Sequence, residues 1–389
     1  MILAGRSLDT PTPPGASGRR GTWAVVAGGG TAGHVLPAIA IGRALVVRGH
    51  PSSSIHFVGS RRGIEGRLVA DAGFSVTVLP GRGVARRLTF DNVAAVAGLV
   101  AAAVRAVVLL ARMRPSVVIS VGGYASVPCV IAAAVLRVPL VVAEQNAVPG
   151  SANRLAARLA RAAAVSFEGT KLPRAVLTGN PLRREVLAVD RTPAGRSVAR
   201  AALGLPPDAK VVAAFGGSLG ALRINRAVLG LAHDWNARGG LAVRHIVGRR
   251  DWDEISSAAP RPVEGGLVYQ QVGYEDRMDL LYAAADVAVC RAGATTVAEL
   301  AAVGLPAILV PLAGAPGDHQ TANALALQAA GAARLVPDGE LTAARLEAEL
   351  DGVLADADRL AEMGRAGRRI ARPGAADAVA ALAEECARG

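Results

Sequence analysis

The chain has 389 residues, 52% hydrophobic but only 3% aromatic, and a formal net charge of +12 carried almost wholly by arginine, since its only lysines are Lys171 and Lys210. That length exceeds what one hydrophobic core serves, so two domains packed with Ala, Val and Leu are expected. Cys129, Cys290 and Cys386 are too few and too far apart for a disulfide framework or a metal cluster and fit a reducing cytoplasm; arginines without aromatic interleaving or zinc-finger spacing argue against nucleic acid.

In chain order, residues 1–21 read as a disordered tail, because Pro11, Pro13, Pro14 and Gly15 interrupt any apolar signal region. A strand from Trp23 to Ala27 then runs into Gly28-Gly29-Gly30-Thr31-Ala32-Gly33-His34, the spacing G-x-G-x-x-G. Glycines there let backbone N–H groups approach a diphosphate at a helix N-terminus. A dinucleotide-binding enzyme adds an acidic residue at the end of the next strand. That region reads Val58-Gly59-Ser60-Arg61-Arg62, which argues against NAD and leaves NADP as a minor rival. His34 sits where a helix N-terminus favours neutral imidazole. It serves either as a general base or merely as a histidine bonding the turn.

Further strands are expected at Ser54–Val58, Val76–Leu79, Val117–Val121 and Leu140–Ala143, each separated by a helix. The apolar run Val93–Leu110 carries Gly98 and Arg105 mid-run, so it reads as a buried or interfacial helix and not a membrane span. Leu88 and Phe90 beside Arg82, Arg86 and Arg87 read either as an apolar patch with a basic rim or as an ordinary loop. The arginine excess has the same two faces, codon usage or attraction to anionic phospholipid. A second glycine turn, Gly122-Gly123-Tyr124-Ala125-Ser126, follows its strand and suggests a second anion in the same cleft; Glu144-Gln145-Asn146 places three polar side chains at the next strand end.

Prolines and glycines between Arg183 and Lys210 mark the domain boundary. The grammar then restarts with Val211–Phe215 and Gly216-Gly217-Ser218-Leu219-Gly220-Ala221, followed by strands at Val243–Val247, Leu267–Gln270, Val287–Cys290 and Ala307–Val310. Thr296 and Glu299 have the spacing of a capping box; the alternative is that Glu299 accepts the hydroxyls of a ribose. Asp318, His319, Gln320 and Asn323 make a dense polar turn suited to sugar hydroxyls. No carboxylate pair, nucleophile elbow, Walker turn or metal-ligand cluster stands out.

Gly-Gly-Thr-x-Gly-His, Gly-Gly-Tyr-x-Ser-x-Pro, Glu-Gln-Asn, Gly-Asn-Pro-x-Arg, Gly-Gly-Ser-x-Gly-Ala and the segment Arg291–Glu299 occur in one order from Trp23 to Arg372. In this the chain resembles the MurG family, peptidoglycan enzymes that add N-acetylglucosamine to undecaprenyl-diphosphate-linked N-acetylmuramyl pentapeptide. The resemblance implies an α/β GT-B fold, two Rossmann-like parallel-sheet domains facing a central cleft. Residues 22–187 would form the acceptor domain, 188–372 the UDP-sugar donor domain, and 373–389 a helix returning to the first.

It further implies an inverting transferase without cofactor or metal, peripheral at the cytoplasmic membrane face. Its partners would be UDP-N-acetylglucosamine, the lipid-linked acceptor, an anionic membrane surface and other cell-wall synthesis and division proteins. Carried over, His34 would be the base taking the proton from the muramyl 4-hydroxyl. The donor would meet Thr31, Ala32, Gly33, Asn146, Arg183, Ser218, Asn225, Ala294, Thr295, Thr296, Glu299, Gln320 and Asn323. The acceptor would meet Gly30, His34, Gly123, Tyr124, Ser126 and Glu144. Ala32, Ala143, Leu219 and His319 depart from the family pattern. Rival readings are another GT-B transferase, a UDP-N-acetylglucosamine epimerase and a catalytically dead nucleotide-sugar module.

Overall fold

The computed structural model describes residues 21–60, 65–79, 90–217 and 220–388, with 90–96 as backbone only. The expected tail, the patch around Arg82 to Phe90, Arg61, Arg62 and the turn residues Ser218 and Leu219 lie outside what it describes.

Two parallel sheets form. The first comprises β1 (Ala24–Gly28), β2 (Ile55–Ser60), β3 (Ser75–Leu79), β4 (Val117–Gly122), β5 (Leu140–Glu144), β6 (Ala162–Val165) and β7 (Ala175–Leu177), in the order β3-β2-β1-β4-β5-β6-β7. The second comprises β8 (Lys210–Phe215), β9 (Leu241–Ile246), β10 (Val268–Val272), β11 (Val287–Cys290), β12 (Ala307–Leu309) and β13 (Ala333–Leu335), in the order β10-β9-β8-β11-β12-β13. In both, the first strand lies inside the sheet with the chain winding outward on each side. The order reverses there, and such a reversal opens a crevice at the strand carboxyl ends.

The strands read as unbroken apolar runs because helices cover both faces; Val117, Val118, Ile119, Val211 and Ala213 have no exposed surface. Alanine and valine bring helix and sheet close. The helix Ala375–Arg388 returns to the first sheet, where Val379, Ala380 and Ala383 join the core of Val26, Ile41 and Ile119. Arg48 fixes it from outside, pairing with Asp377 and Glu384 at 2.9 Å each. The helix Phe90–Met113 buries Ala102, Ala106 and Leu110, while Val100, Val104 and Val108 stand exposed four residues apart. Among the described residues no helix is long and apolar enough to cross a membrane.

Candidate active site

The two glycine turns of the first sheet form one surface. Gly28, Gly29 and Gly30 have φ of 148°, 148° and 98°, and a side chain on Gly28 would collide with Val121 and the Gly122 carbonyl. A side chain on Gly123, φ 77°, would strike the Gly29 carbonyl. Only glycine permits that conformation and that approach. Ser126 holds the second turn by donating to the Gly123 carbonyl at 2.9 Å, and the Tyr124 hydroxyl above it is buried without a partner. Burial raises the Tyr124 pKa, so it remains a donor.

The second strand ends without an acid, but a buried one lies a few residues further on and serves the glycine turn. Glu65, 2% exposed, lies against Gly29 and accepts from the Gly30 N–H at 2.5 Å, leaving its Oε2 unpartnered. Sequence reading misses it because it belongs to the next helix, Glu65–Asp71, and not to the strand end.

Thr31 begins the helix Ala32–Val47 in extended geometry, but its hydroxyl does not cap that helix. It contacts His34 Nδ1 at 3.1 Å. Ala32 takes no left-handed conformation, so the departure from glycine there costs nothing in the backbone. Burial by the cleft walls lowers the His34 pKa; Glu144 and Glu65 push it up in part, and His319 pushes it down again. The imidazole is therefore neutral near pH 7 with two carboxylates at hand to stabilise its protonated form. Glu144 organises the loop that follows it, accepting from the Asn146 N–H (2.9 Å), Asn146 Nδ2 (3.2 Å), the Gly150 N–H (3.1 Å) and Asn153 Nδ2 (3.0 Å).

From the second sheet, β11 leads into the helix Ala294–Val303, whose N-cap is Gly293 with no side-chain cap. The capping box expected of Thr296 and Glu299 does not form, because the helix begins two residues before Thr296. Glu299, 5% exposed, instead accepts from Arg183 Nη2 at 3.0 Å and from the Tyr282 hydroxyl at 2.8 Å. Burial opposes the charge of Arg183, but Glu299's charge and hydrogen bond outweigh it and raise the guanidinium pKa. Arg183 Nε is buried and unpartnered.

The two halves meet across the cleft. Thr295 Oγ1 donates to the Gly33 carbonyl at 3.3 Å, and Asn323 joins Asn146 (3.2 Å) and the Ala147 N–H (2.9 Å) while also donating to the Ala292 carbonyl (3.1 Å). Gln320 accepts from the Leu312 N–H at 2.9 Å, and His319 Nδ1 contacts the Pro316 carbonyl at 2.8 Å. Asn225, wholly buried, is engaged elsewhere: its amide donates to Val247 and Asp251 and accepts from His245, so it builds the turn beneath the cleft instead of facing it. Among the described residues no group of three His, Cys, Asp or Glu is placed to hold a metal ion.

Residues 24–165 match the glycosyltransferase family 28 N-terminal domain and residues 211–380 the glycosyltransferase family 28 C-terminal domain. The UDP-N-acetylglucosamine--N-acetylmuramyl-(pentapeptide) pyrophosphoryl-undecaprenol N-acetylglucosamine transferase of Acidothermus cellulolyticus is 43% identical over 93% of this chain and 97% of its own. The protein of the same name from Streptomyces coelicolor is 41% identical over 93% and 97%. The crystal structure of Acinetobacter baumannii MurG aligns with a TM-score of 0.72 at 28% identity, covering 93% of this chain and 99% of that one. UDP-GlcNAc 2-epimerase from Neisseria meningitidis, with a TM-score of 0.66 at 12% identity and covering 93% and 99%, shares the fold alone. Two glycine-turn sheets of GT-B type closing on one cleft, with relatives of this identity along nearly their whole length, place the chain in the MurG family of N-acetylglucosaminyltransferases.

Proposed function

We infer that His34 is the base in the reaction this chain catalyses, the transfer of N-acetylglucosamine from UDP-N-acetylglucosamine to the 4-hydroxyl of undecaprenyl-diphosphate-linked N-acetylmuramyl pentapeptide. The observation that carries the assignment is the imidazole at the junction of the two halves, in contact with Thr31 and kept neutral by burial, with the charges of Glu144 and Glu65 near enough to favour its protonated form. For Nε2 to accept a proton, Nδ1 must carry one, and Thr31 Oγ1 at 3.1 Å is placed to accept it. As the acceptor oxygen attacks the anomeric carbon and inverts it, Glu144 and Glu65 stabilise the imidazolium that forms.

The departing UDP develops charge that the uncapped N-terminus at Ala294, Thr295 and Thr296 is suited to meet with backbone N–H groups, together with Arg183 and the turn that includes Ser218. This assignment needs no metal. Glu299 is the ribose acceptor of the proposal, held ready by Tyr282 and Arg183. Gln320 and Asn323 face the sugar, and Asn323 reaches it by releasing Asn146. Residues 188–372 form the donor domain and 22–187 the acceptor domain. In the acceptor domain Gly30, Gly123 and Tyr124 meet the lipid-linked substrate, with Ser126 keeping that turn in shape, while in the donor domain Asn225 holds the turn from Val247 to Asp251.

The same reading puts the chain at the cytoplasmic membrane face. Val100, Val104 and Val108 on one helix and Ile131 and Val135 on the next are exposed, with Arg105, Arg112, Arg114 and Arg137 also exposed nearby in sequence. The deciding assay supplies labelled UDP-N-acetylglucosamine and a short-chain lipid-linked muramyl pentapeptide. A lipid-linked disaccharide and equimolar UDP are expected; UDP without disaccharide would sink the reading.

A further inference from the structure

The two glycine turns of the first sheet share a phosphate-type shape, yet their N–H groups are not equally available. In the first turn the Gly29 N–H donates to the Gly122 carbonyl at 3.4 Å and the Gly30 N–H to Glu65 Oε1 at 2.5 Å. In the second turn the N–H groups of Gly123 and Tyr124 meet no backbone acceptor among the described residues, and both residues are half-buried.

Glu65 is built into the first turn. Its stem lies on Gly59, where an added Cβ would come within 2.8 Å of the Glu65 Cβ, and its head lies on Gly29, where an added Cβ would collide with Oε1. With 2% of its surface exposed, the side chain is held from both strands. Its Oε2 meets no donor, and its charge reaches His34, whose pKa it pushes up against burial. A phosphate placed on Gly29 and Gly30 would find both donors spent and a fixed negative charge directly behind them. That repulsion is stronger inside a cleft than in bulk water.

We propose that Glu65 is a positioning residue that closes the first glycine turn to phosphate and directs the acceptor's diphosphate to Gly123 and Tyr124. This rests on the acceptor reading above and divides that site: Gly30 meets the uncharged part of the lipid-linked substrate beside His34, and the second turn meets its charge. A substrate held by its diphosphate at a single turn presents its alcohol to the base in one register. Two equivalent turns would also admit a shifted register that does not react.

The probe is inorganic pyrophosphate, added to the full chain saturated with UDP so that the donor side is filled. In the wild-type chain, amide hydrogen exchange should slow about fivefold or more at residues 122–127 and stay unchanged at residues 28–33. Calorimetry on the same samples should show a single site. Glu65→Ala frees the Gly30 N–H and removes the charge, so a second site should appear and protection should spread to residues 28–33. Glu65→Gln keeps an acceptor for Gly30 and serves if Glu65→Ala fails to fold. Because it removes the charge alone, the His34 imidazole, followed by nuclear magnetic resonance, should titrate at lower pH than in the wild type; a side chain that only fills space would leave that titration where it is. Protection of residues 28–33 in the wild-type chain, absence of pyrophosphate binding, a single site in folded Glu65→Ala, or an unmoved His34 titration overturns the proposal. None of these readouts uses turnover, so their failure leaves the transfer reaction standing, and failure of the transfer assay leaves them intact.

Discussion

The hydroxyl of Thr295 donates to the carbonyl of Gly33 at 3.3 Å, and that carbonyl is free to receive it because Pro37, one helical turn on, has no N–H to give. A proline inside a helix normally costs stability. Here it leaves an acceptor at the start of one half's helix for the start of the other's. Pro37→Ala should let Gly33 turn back into its own helix, lowering kcat several-fold while the melting temperature stays level or rises. Thr295→Val should lower kcat similarly by removing the donor at nearly constant volume. A fall in kcat matched by a fall in melting temperature for Pro37→Ala would show that the proline serves packing alone.

His34 must be neutral to act as a base, and burial holds its pKa below the ordinary 6.5. The acid limb of the kcat/KM profile should therefore fall below that value, with full activity retained at neutral pH. His34→Ala should reduce kcat by ~10²- to 10⁴-fold with little change in UDP affinity. Thr31→Val should cost less, because it removes the Nδ1 partner and leaves the ring. An acid limb at or above 6.5, or a variant that loses UDP affinity as much as turnover, contradicts the assignment.

How far the sequence leads depends on where a residue's partners come from. The strand–glycine–helix units at Gly28 and Gly216 are local, with strand, turn and helix within a few residues, and so are legible. The strands β6, β7 and β13 escape: Ala162-Ala163-Ala164-Val165 carries helix-forming alanine, and the other two have three residues each, too short for a period. Their strand character comes from neighbours in the sheet. Thr296 and Glu299 match a local capping pattern, yet the carboxylate is taken by Arg183, 116 residues away. Glu65 and the Asn323 bridge depend on long-range folding in the same way and leave no mark in local spacing.

Tyr282 is buried against Glu299, and burial with that carboxylate beside it holds the phenol far above its usual pKa, so it remains a donor throughout the working range. Tyr282→Phe should leave one buried carboxylate oxygen unmet at a cost of about 1–3 kcal/mol in stability. Donor KM should rise as the ribose acceptor loosens, with kcat nearly unchanged. Glu299→Ala should raise donor KM further. If Glu299→Ala leaves donor KM unchanged, the carboxylate only holds Arg183.

The exposed valines give the membrane reading its own test. Replacing Val100 and Val104 by Asp puts two charges at positions more than half exposed in the folded chain, so the melting temperature should fall little. Flotation with vesicles containing anionic phospholipid should show binding weakened about tenfold or more. Unchanged flotation would place the contact on another face.

His245 sets an acid limit on the second half. It has no exposed surface and sits between Asn225 (3.1 Å) and Tyr269 (2.8 Å), where burial pushes its pKa down to about 4. Its Nε2–H donates to the Asn225 oxygen, since both Asn225 Nδ2 contacts are acceptors. The neutral ring thus belongs to the network and the protonated ring does not. In the unfolded chain the imidazole has its ordinary value near 6.5, so the unfolded state binds more protons as pH falls. This contribution to stability is whole above 6.5, declines as pH drops toward about 4, and amounts to about 3 kcal/mol. His245→Gln keeps a donor toward Asn225 without the titration. It should be less stable at neutral pH and lose less on going from pH 7 to pH 4.5, read as denaturant midpoints at the two values. Equal losses in the two proteins would assign the acid sensitivity to other groups.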